Sequence, residues 1–195
     1  MKKIVLIGIQ ARSSSERFPN KIHVQVGGKP ILQWIIDACN SAIRYLRNDC
    51  DRWNAAIKLK LLVPKDDPVI SIYQNQIAVA AGDAEDVLGR YTTAAEEENA
   101  TYVVRITGDC LFIPSHLICK HIKSALIKQR DYTTNVHYRS FREGYDCEVL
   151  SRRLVQWLGK NAVGKDREHV TTLIGPNKQF PFLDSDGKPN ITHIL

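Results

Sequence analysis

The sequence lacks an apolar run long enough to cross a membrane. No run approaches the roughly 18 residues that a membrane span needs. The start Met1-Lys2-Lys3 precedes an apolar run that is too short for a signal peptide, and no small-residue cleavage site follows it. We therefore expect a cytoplasmic protein with no membrane partner.

The cysteine and histidine patterns of disulfide-bridged or zinc-binding proteins are also absent. The five cysteines form no C-x-x-C pair and cannot all be bridged, so reduced thiols are expected. The six histidines show no metal-ligand spacing, which argues against a zinc site.

The common phosphate-loop and nucleic-acid motifs are missing as well. The chain contains neither G-x-x-x-x-G-K-[ST] nor G-x-G-x-x-G, so it has no Walker A loop and no Rossmann fingerprint. No RNA- or DNA-binding motif occurs, and no ladder of aromatic residues alternates with the basic ones. Nucleic acid is therefore not an expected partner.

What the chain does have is an uneven distribution of charge. Residues 1–65 contain 12 Lys and Arg against 4 Asp and Glu, whereas residues 66–100 contain 1 against 8. A basic N-terminal third favours anionic ligands. Because much of this charge surrounds one loop, a small anionic ligand is favoured over a polymer.

That loop, residues 8–21, joins a buried strand at residues 4–7 to a helical pattern that begins at Pro30. It contains three consecutive serines, one acid and three cations, namely Arg12, Arg17 and Lys21. Small residues let backbone N–H groups point inward, and the cations add positive charge, so the loop suits a polyphosphate. The alternative interpretation is an ordinary solvated loop between a strand and a helix.

Strand-like and helical patterns alternate along the chain. Strands are predicted at residues 4–7, 59–63, 77–81, 102–107, 131–136 and 146–149, and helices at 30–46, 66–76, 86–99, 114–129, 151–160 and 166–174. This alternation predicts an α/β protein with a mostly parallel sheet covered on both faces, in one domain spanning residues 1–195. Ligands of such sheets bind beyond the carboxyl ends of the strands, where the serine-rich loop, Gly108-Asp109 and Asn135 should converge.

Three acids are candidate metal ligands. Asp109 directly follows a strand and a glycine, where a carboxylate and a polyphosphate could hold Mg²⁺ together; alternatively it is a turn or cap residue. Asp146 and Glu148 are two residues apart on a predicted strand, so their side chains should leave the same face. The alternative for this pair is a solvated strand face with alternating acids.

Six segments together resemble the cytidylyltransferase family that activates sugar acids as CMP-sugars (CMP-Kdo and acylneuraminate synthetases), and most of all its spore coat polysaccharide biosynthesis protein F group. They occur in the family's order and span residues 4 to about 174. The segments are Ala11-Arg12-x-x-Ser15-x-Arg17-x-Pro19-x-Lys21, Gly28-Lys29-Pro30-Ile31-Leu32, Asp86-Val87-Leu88-x-Arg90-Tyr91, Arg105-Ile106-Thr107-Gly108-Asp109-Cys110, Gly144-x-Asp146-x-Glu148-Val149 and Arg167-Glu168-His169-Val170-Thr171.

The resemblance implies a three-layer α/β/α sandwich of the nucleotide-diphospho-sugar-transferase type, a GT-A-like variant of the Rossmann fold. It implies CTP as a substrate, Mg²⁺ as the cofactor and transfer of the cytidylyl group to an acidic sugar or similar acceptor, with pyrophosphate released. The nucleotide-binding residues it implies are Ala11, Arg12, Ser13, Ser14, Ser15, Arg17, Lys21, Gly82, Asp86, Arg105 and Thr107. Of these, Arg12 and Lys21 are expected to act in catalysis together with Asp109.

The metal ligands implied are Asp109, Asp146 and Glu148, and the acceptor-binding residues are Asn135, Arg142, Arg167, Glu168 and His169. For Glu168 and His169 the simpler alternative is that they only begin a helix. The biological setting implied is surface polysaccharide or glycan synthesis, and the assembly implied is a homodimer.

The sequence departs from the family's pattern in two places. Leu111-Phe112-Ile113-Pro114 stands where Pro-Leu-Ile-Asp is usual, so a different loop conformation is expected there. The family's Thr-x-Asp-x-Pro-Glu-Asp-like stretch is replaced by Asp184-Ser185-Asp186-Gly187, which is typical of a turn, so a C-terminus shorter than usual is expected. Two other functions therefore stay open: a nucleotide-sugar-dependent glycosyltransferase that uses Asp146-x-Glu148 as its metal motif, and a non-catalytic homologue that binds nucleotide.

Overall fold

The computed structural model describes residues 2–14 and 18–195, and within them a central sheet is covered by helices on both faces. The strands are β1 (Lys3–Gln10), β2 (Gln25–Val26), β3 (Lys29–Pro30), β4 (Ala55–Pro64), β5 (Ala78–Gly82), β6 (Tyr102–Thr107), β7 (Tyr132–Thr134), β8 (Glu148–Ser151) and β9 (Ile191–His193). The helices are α1 (Ile31–Arg52), α2 (Val69–Tyr73), α3 (Val87–Glu97), α4 (Ser115–Lys128), α5 (Arg152–Asn161) and α6 (Lys165–His169). In these described residues no helix is both long and apolar enough to cross a membrane.

Most of the strand ends next to the predicted site residues lie along one edge of the sheet. Its order within the described chain is β5-β4-β1-β6-β8-β7-β9. Strands β5, β4, β1 and β6 are parallel, whereas β8 runs antiparallel to both of its neighbours, β6 and β7. The carboxyl ends of β1, β4, β5, β6 and β7 and the start of β8 therefore lie along the same edge, which we call the carboxyl edge.

Strand β1 is the centre of two apolar layers because its side chains alternate between the faces of the sheet. Val5, Ile7 and Ile9 pack on the side of α1 and α4, whereas Leu6 packs on the side of α3 and α5. All four are fully buried, and each such side chain contributes about 1.5–3 kcal/mol of transfer free energy. An uninterrupted apolar run is thus what a strand covered on both faces requires.

The α/β class and the mostly parallel sheet are confirmed, but two predicted elements were wrong. The helix predicted over residues 166–174 is interrupted: α6 ends at His169, and a 3₁₀ turn follows at Thr172–Ile174. The cause is Val170, whose φ of +64° is incompatible with a right-handed helix. The strand predicted from residue 146 begins at Glu148, so Asp146 precedes it and the two acids do not alternate along one strand.

Candidate active site

The loop after β1 is fixed at its start by a single carboxylate. The backbone N–H of Ser13 donates to Asp67 Oδ2 at 2.8 Å, and the Ser13 hydroxyl donates to Asp67 Oδ1 at 2.6 Å. Because that hydroxyl proton is already used, the ring N–H of His23 is the donor in the 3.3 Å contact between its Nε2 and Ser13 Oγ. Asp67 also accepts from the N–H of Val69, so it ties the loop to the end of β4 and the start of α2.

The far end of this loop returns to its start. The N–H of Asn20 donates to the carbonyl oxygen of Ser13 at 2.9 Å, which places Lys21 back beside the strand ends. Ala11 is buried and Ser14 is exposed, but the N–H of Ser13 is used inside the protein and is not available to a phosphate. The predicted ligands Ser15 and Arg17 lie outside the described residues.

Asp109 lies at the end of β6 and contacts Lys21 directly. Lys21 Nζ donates to Asp109 Oδ2 at 2.7 Å, and the Thr107 hydroxyl donates to Oδ1 at 2.5 Å. Burial acts to raise the pKa of Asp109, but the bonds from Lys21 and Thr107 outweigh it and hold the pKa below its ordinary value. The carboxylate is therefore ionised at neutral pH, and its side chain is 50% exposed.

Gly108 makes the approach of this turn to β1 possible. Its N–H donates to the carbonyl oxygen of Gln10 at 2.7 Å, and a Cβ at position 108 would lie only 2.9 Å from that same oxygen. No side chain fits there, so the glycine before Asp109 sets how closely the β1 and β6 turns can meet.

Arg105 and Glu148 form a buried ion pair behind Asp109. Arg105 Nη1 donates to Glu148 Oε2 at 2.5 Å, and the hydroxyl of Tyr132 donates to Glu148 Oε1. Glu148 is 1% exposed, and its attraction outweighs burial and raises the pKa of Arg105. Arg105, which was predicted to bind the nucleotide, and Glu148, which was predicted to bind the metal, are thus bonded to other side chains of the protein.

The three predicted metal ligands do not form one cluster. Among residues 2–14 and 18–195, no group of three or more His, Cys, Asp or Glu side chains is arranged to hold a metal. Asp146 is bound by both terminal nitrogens of Arg139, at 3.1 and 3.2 Å. The segment before β8 nevertheless reaches the β6 turn, because Cys110 Sγ contacts the carbonyl oxygen of Asp146 at 3.7 Å. Asp109 and Asp146 are therefore on neighbouring segments, whereas Glu148 is buried.

On the other side of β1, the turn after β5 leads into α3. Asp86 caps α3 by accepting from the N–H of Gly89 at 2.7 Å. Arg167 Nη2 donates to the second oxygen of Asp86 at 2.7 Å. Burial opposes these two bonds, but together they lower the pKa of Asp86. Gly82, at the end of β5, lies against the side chain of Arg90.

Helix α6 is held against the turns that follow β1 and β5. Arg12 Nη2 donates to Glu168 Oε1 at 3.1 Å, and Arg167 also donates to the carbonyl oxygens of Gly159 and Ala162. His169 is exposed. The segment predicted for the acceptor thus contacts Arg12 and Asp86 directly.

The other two predicted acceptor residues lie near β7 and β8. Asn135 is 2% exposed, and its side chain donates to the carbonyl oxygen of Tyr145 and accepts from the N–H of Cys147. It therefore holds the segment that carries Asp146. Arg142 is exposed.

Sequence reasoning missed two residues of this edge. Asp67 falls at the start of the helix predicted over residues 66–76 and was given no other role, although its position just past the end of β4 was a usable signal. Arg90 was noticed only within a motif, yet it is the one Lys or Arg between residues 66 and 100. Its spacing from Val87 and Ala94 also places it on the buried face of α3, where a cation is unexpected.

Comparison with known proteins identifies two relatives and a family match. A family model described as cytidylyltransferase matches residues 5–59. Uncharacterized protein MJ1063 of Methanocaldococcus jannaschii is 30% identical over 176 residues, which cover 88% of this chain and 68% of the relative. The spore coat polysaccharide biosynthesis protein SpsF of Bacillus subtilis is 26% identical over 172 residues, 87% of this chain and 69% of that protein.

Solved structures share the fold. A cytidylyltransferase from Leptospira borgpetersenii superposes with a TM-score of 0.78 at 25% identity, covering all of this chain and 76% of that one. A CMP:2-keto-3-deoxy-manno-octonic acid synthetase complexed with CTP superposes with a TM-score of 0.64 at 15% identity, covering 89% and 83% of the two chains.

Proposed function

Because this chain belongs to the cytidylyltransferase family, we propose that it transfers the cytidylyl group of CTP to a small acidic acceptor, a sugar acid or a related molecule. An acceptor oxygen attacks the α-phosphorus and forms the new P–O bond. The bond from that phosphorus to the bridging oxygen breaks, and pyrophosphate leaves with its electron pair, while the acceptor's proton passes to solvent. Such transfer depends on positioning and on neutralising charge.

The observation that carries this proposal is the Lys21–Asp109 pair at the end of β6. It joins the returning end of the β1 loop to an ionised carboxylate at the carboxyl edge. Lys21 is 32% exposed at its side chain, so its ammonium can exchange Asp109 for a phosphate oxygen when CTP binds. Arg12 could exchange its partner in the same way, because it is paired with Glu168 and 38% of its side chain is exposed.

Asp109 also fits a divalent cation. Mg²⁺ prefers oxygen ligands and commonly uses one or two carboxylates together with substrate phosphates, and Asp109 offers an ionised, half-exposed carboxylate. We propose Asp109 as the principal ligand of the cation and Asp146 as the second. Glu148 would act indirectly, through its ion pair with Arg105. When bound, the cation would supply Lewis-acid stabilisation of the phosphate oxygens.

The nucleoside and acceptor ends would meet where Arg167 bonds Asp86. Gly82, Asp86 and Thr107 would frame the nucleoside and α-phosphate, while Arg142, Arg167, Glu168 and His169 would face the acceptor.

The protein named SpsF is a spore coat polysaccharide biosynthesis protein, and we propose a comparable place for this chain in cytoplasmic surface glycan synthesis.

Pyrophosphate release tests the proposal. Each of the four NTPs is incubated with Mg²⁺ and a panel of acidic sugars, and the expected result is release from CTP only in the presence of an acceptor. The Asp109→Ala variant should lose about 100-fold or more of this activity. Asp51→Ala, at an exposed position near the end of α1, is the matched control and should keep it.

Three results would contradict the proposal. Binding of CTP without turnover on any acceptor would favour a non-catalytic nucleotide-binding protein. Sugar transfer from an intact nucleotide-sugar, with no pyrophosphate released, would favour a glycosyltransferase. Full activity of Asp109→Ala would remove the assigned metal and charge role of Asp109.

A further inference from the structure

His137 is the outer end of a chain of hydrogen bonds that begins at a buried ion pair. Glu148 accepts from Arg105 through Oε2 and from the hydroxyl of Tyr132 through Oε1. The hydroxyl oxygen of Tyr132 is in turn 3.4 Å from Nε2 of His137. Tyr132 and Glu148 are buried, whereas His137 is only partly buried, so the chain leads from the interior of the sheet towards solvent.

This chain fixes which nitrogen of His137 carries the proton. The hydroxyl proton of Tyr132 is already donated to Glu148, so Nε2 of His137 is the donor in its contact with the Tyr132 oxygen. A neutral imidazole protonated at Nε2 has a free lone pair on Nδ1. Within residues 2–14 and 18–195, that Nδ1 atom makes no hydrogen bond.

The surroundings keep this imidazole neutral. The titratable and charged groups near it are Tyr132 on β7, Glu148 on β8, Arg105 on β6 and His193 on β9. Burial lowers the pKa of His137, and the neighbouring imidazole of His193, whose centroid is 5.9 Å away, adds to this effect. The negative charge of Glu148 acts in the opposite direction, so it would stabilise an imidazolium once one has formed. A neutral, oriented imidazole of this kind is suited to general-base catalysis.

His137 lies at the same edge of the sheet as Asp109. Glu148 is paired in register with both Arg105 and Thr134, so the last two are level across the sheet. Asp109 follows Arg105 by four residues, and His137 follows Thr134 by three. The order β6-β8-β7 places two strand spacings between the two chain segments, which corresponds to about 10 Å.

That separation matches the geometry of attack on a phosphorus atom bound at the Lys21–Asp109 pair. An attacking oxygen lies about 3–3.5 Å from phosphorus and about 3 Å from its base, so the base and the phosphorus are about 6 Å apart. The remaining 4 Å or so accommodates one phosphate oxygen and its hydrogen bond to Lys21. A hydroxyl between the ends of β6 and β7 can therefore face the phosphorus on one side and Nδ1 of His137 on the other.

We propose that Nδ1 of His137 removes the proton of the attacking hydroxyl, so that the acceptor is an alcohol and not a phosphate monoester; this inference rests on the proposed function. As the new P–O bond forms, the O–H bond of the acceptor breaks and its proton passes to Nδ1 before it reaches solvent. Pyrophosphate leaves with the electron pair of the bond that breaks at the α-phosphorus. A phosphate monoester is largely ionised at neutral pH and would need no such base.

The pH dependence of pyrophosphate release tests this role, with CTP, Mg²⁺, the panel of acidic sugars and phosphate monoesters of the same sugars. Wild-type kcat should fall about tenfold per pH unit below the pKa of His137. His137→Gln should lower kcat at pH 7 at least about 100-fold, lose this acidic limb and keep KM for CTP. Imidazole added to His137→Ala should restore activity in proportion to its unprotonated form. His116→Gln, at an exposed position on α4, is the matched control and should behave as the wild type.

Nuclear magnetic resonance tests the orientation of His137 without turnover. In the free protein labelled with ¹⁵N at histidine, His137 should be protonated at Nε2 and unprotonated at Nδ1 at pH 7. Tyr132→Phe keeps the ring that stacks on Phe180 but removes the oxygen that accepts from Nε2. This variant should lose the preference for that tautomer, and its kcat should fall less than that of His137→Gln. Thermal unfolding of each variant shows whether the fold is kept.

The outcomes separate this inference from the proposed function. An unchanged kcat and acidic limb in His137→Gln would overturn the inference and leave the transferase standing, as would turnover of phosphate monoesters alone or protonation of Nδ1 in the free protein. A raised KM for the acceptor with unchanged kcat would make His137 a binding residue only. A lowered Tm with no rescue by imidazole would make its role structural, and either result overturns the base role. If the wild type releases pyrophosphate with no acceptor of the panel, the transferase is refuted and the base role with it.

Discussion

At the residue scale, one carboxylate fixes the start of the loop after β1. Asp67 accepts two hydrogen bonds from Ser13 and one from the N–H of Val69. It is 7% exposed, so its removal leaves buried donors that water cannot readily satisfy. Leaving a buried donor unsatisfied costs about 1–3 kcal/mol.

We therefore predict that Asp67→Ala lowers the free energy of unfolding by about 1–3 kcal/mol and raises KM for CTP. Urea unfolding and CTP-dependent pyrophosphate release measure the two effects. Ser13→Ala is the control: it loses the hydroxyl bond but keeps the N–H bond to Asp67, so both effects should be smaller. A destabilised Asp67→Ala variant with unchanged KM would mean that the loop does not bind CTP.

Residue types and spacing predicted some of these side chains but not their partners. The position of Asp109 at the end of β6 could be predicted because a strand, a glycine and an acid are consecutive in sequence. The buried partners of Glu148 could not be predicted, because Arg105 and Tyr132 lie on β6 and β7. An acid on a short strand has the same local pattern whether it faces solvent or a buried arginine.

At the element scale, the close approach of β5 to α3 depends on Gly82. Its position allows no Cβ while Arg90 keeps its present path. We predict that Gly82→Ala displaces Arg90, lowers the free energy of unfolding by about 1–3 kcal/mol and weakens CTP binding. Chemical unfolding and calorimetry report the two changes.

A double-mutant cycle makes this prediction specific. In an Arg90→Ala background the obstructing side chain is gone, so the added methyl group should cost much less, and the coupling free energy should be non-zero. Gly175→Ala is the control, because Gly175 has a φ of −65° and an added Cβ makes only ordinary contact there. Additive effects of the two substitutions would show that Gly82 and Arg90 are not coupled.

Some elements carry a local pattern that sets their bounds, and others do not. Strand β6 was predicted with its observed bounds because five of its six residues are β-branched or aromatic and Gly108 follows them. Strand β9 has three residues and carries too little pattern to be recognised. The interruption after α6 depends on the backbone of Val170, a β-branched residue that rarely adopts positive φ. The sequence therefore does not predict that the helix ends there.

At the scale of the whole molecule, Asp131 joins the C-terminal segment to the sheet and to α5. It accepts hydrogen bonds from Ser151, from Arg153 and from the side chain of Asn190, so it links residues that are 20, 22 and 59 positions away. Asn190 immediately precedes β9, the outermost strand of the sheet on that side. Loss of this carboxylate should therefore loosen the connection between β9 and the rest of the fold.

The charge on Asp131 makes this connection dependent on pH. Burial acts to raise the pKa of Asp131, but the bonds from Arg153, Ser151 and Asn190 outweigh it and lower the pKa below its ordinary value. A carboxyl group whose pKa is lowered by folding stabilises the protein at pH values above its pKa in the unfolded chain. That contribution is lost as the pH falls through the pKa of the folded state.

We predict that Asp131→Asn lowers the free energy of unfolding by about 2 kcal/mol at pH 7, and that this difference from the wild type narrows below about pH 4. It narrows because the carboxyl group of the unfolded wild-type chain is protonated first, and at lower pH the folded carboxyl group is protonated too and its bonds weaken. Urea unfolding at pH 7, 4 and 3 measures the difference, with Asp51→Asn at an exposed site as the control. A difference that stays constant over this range would show that the charge of Asp131 does not hold the C-terminal segment to the sheet.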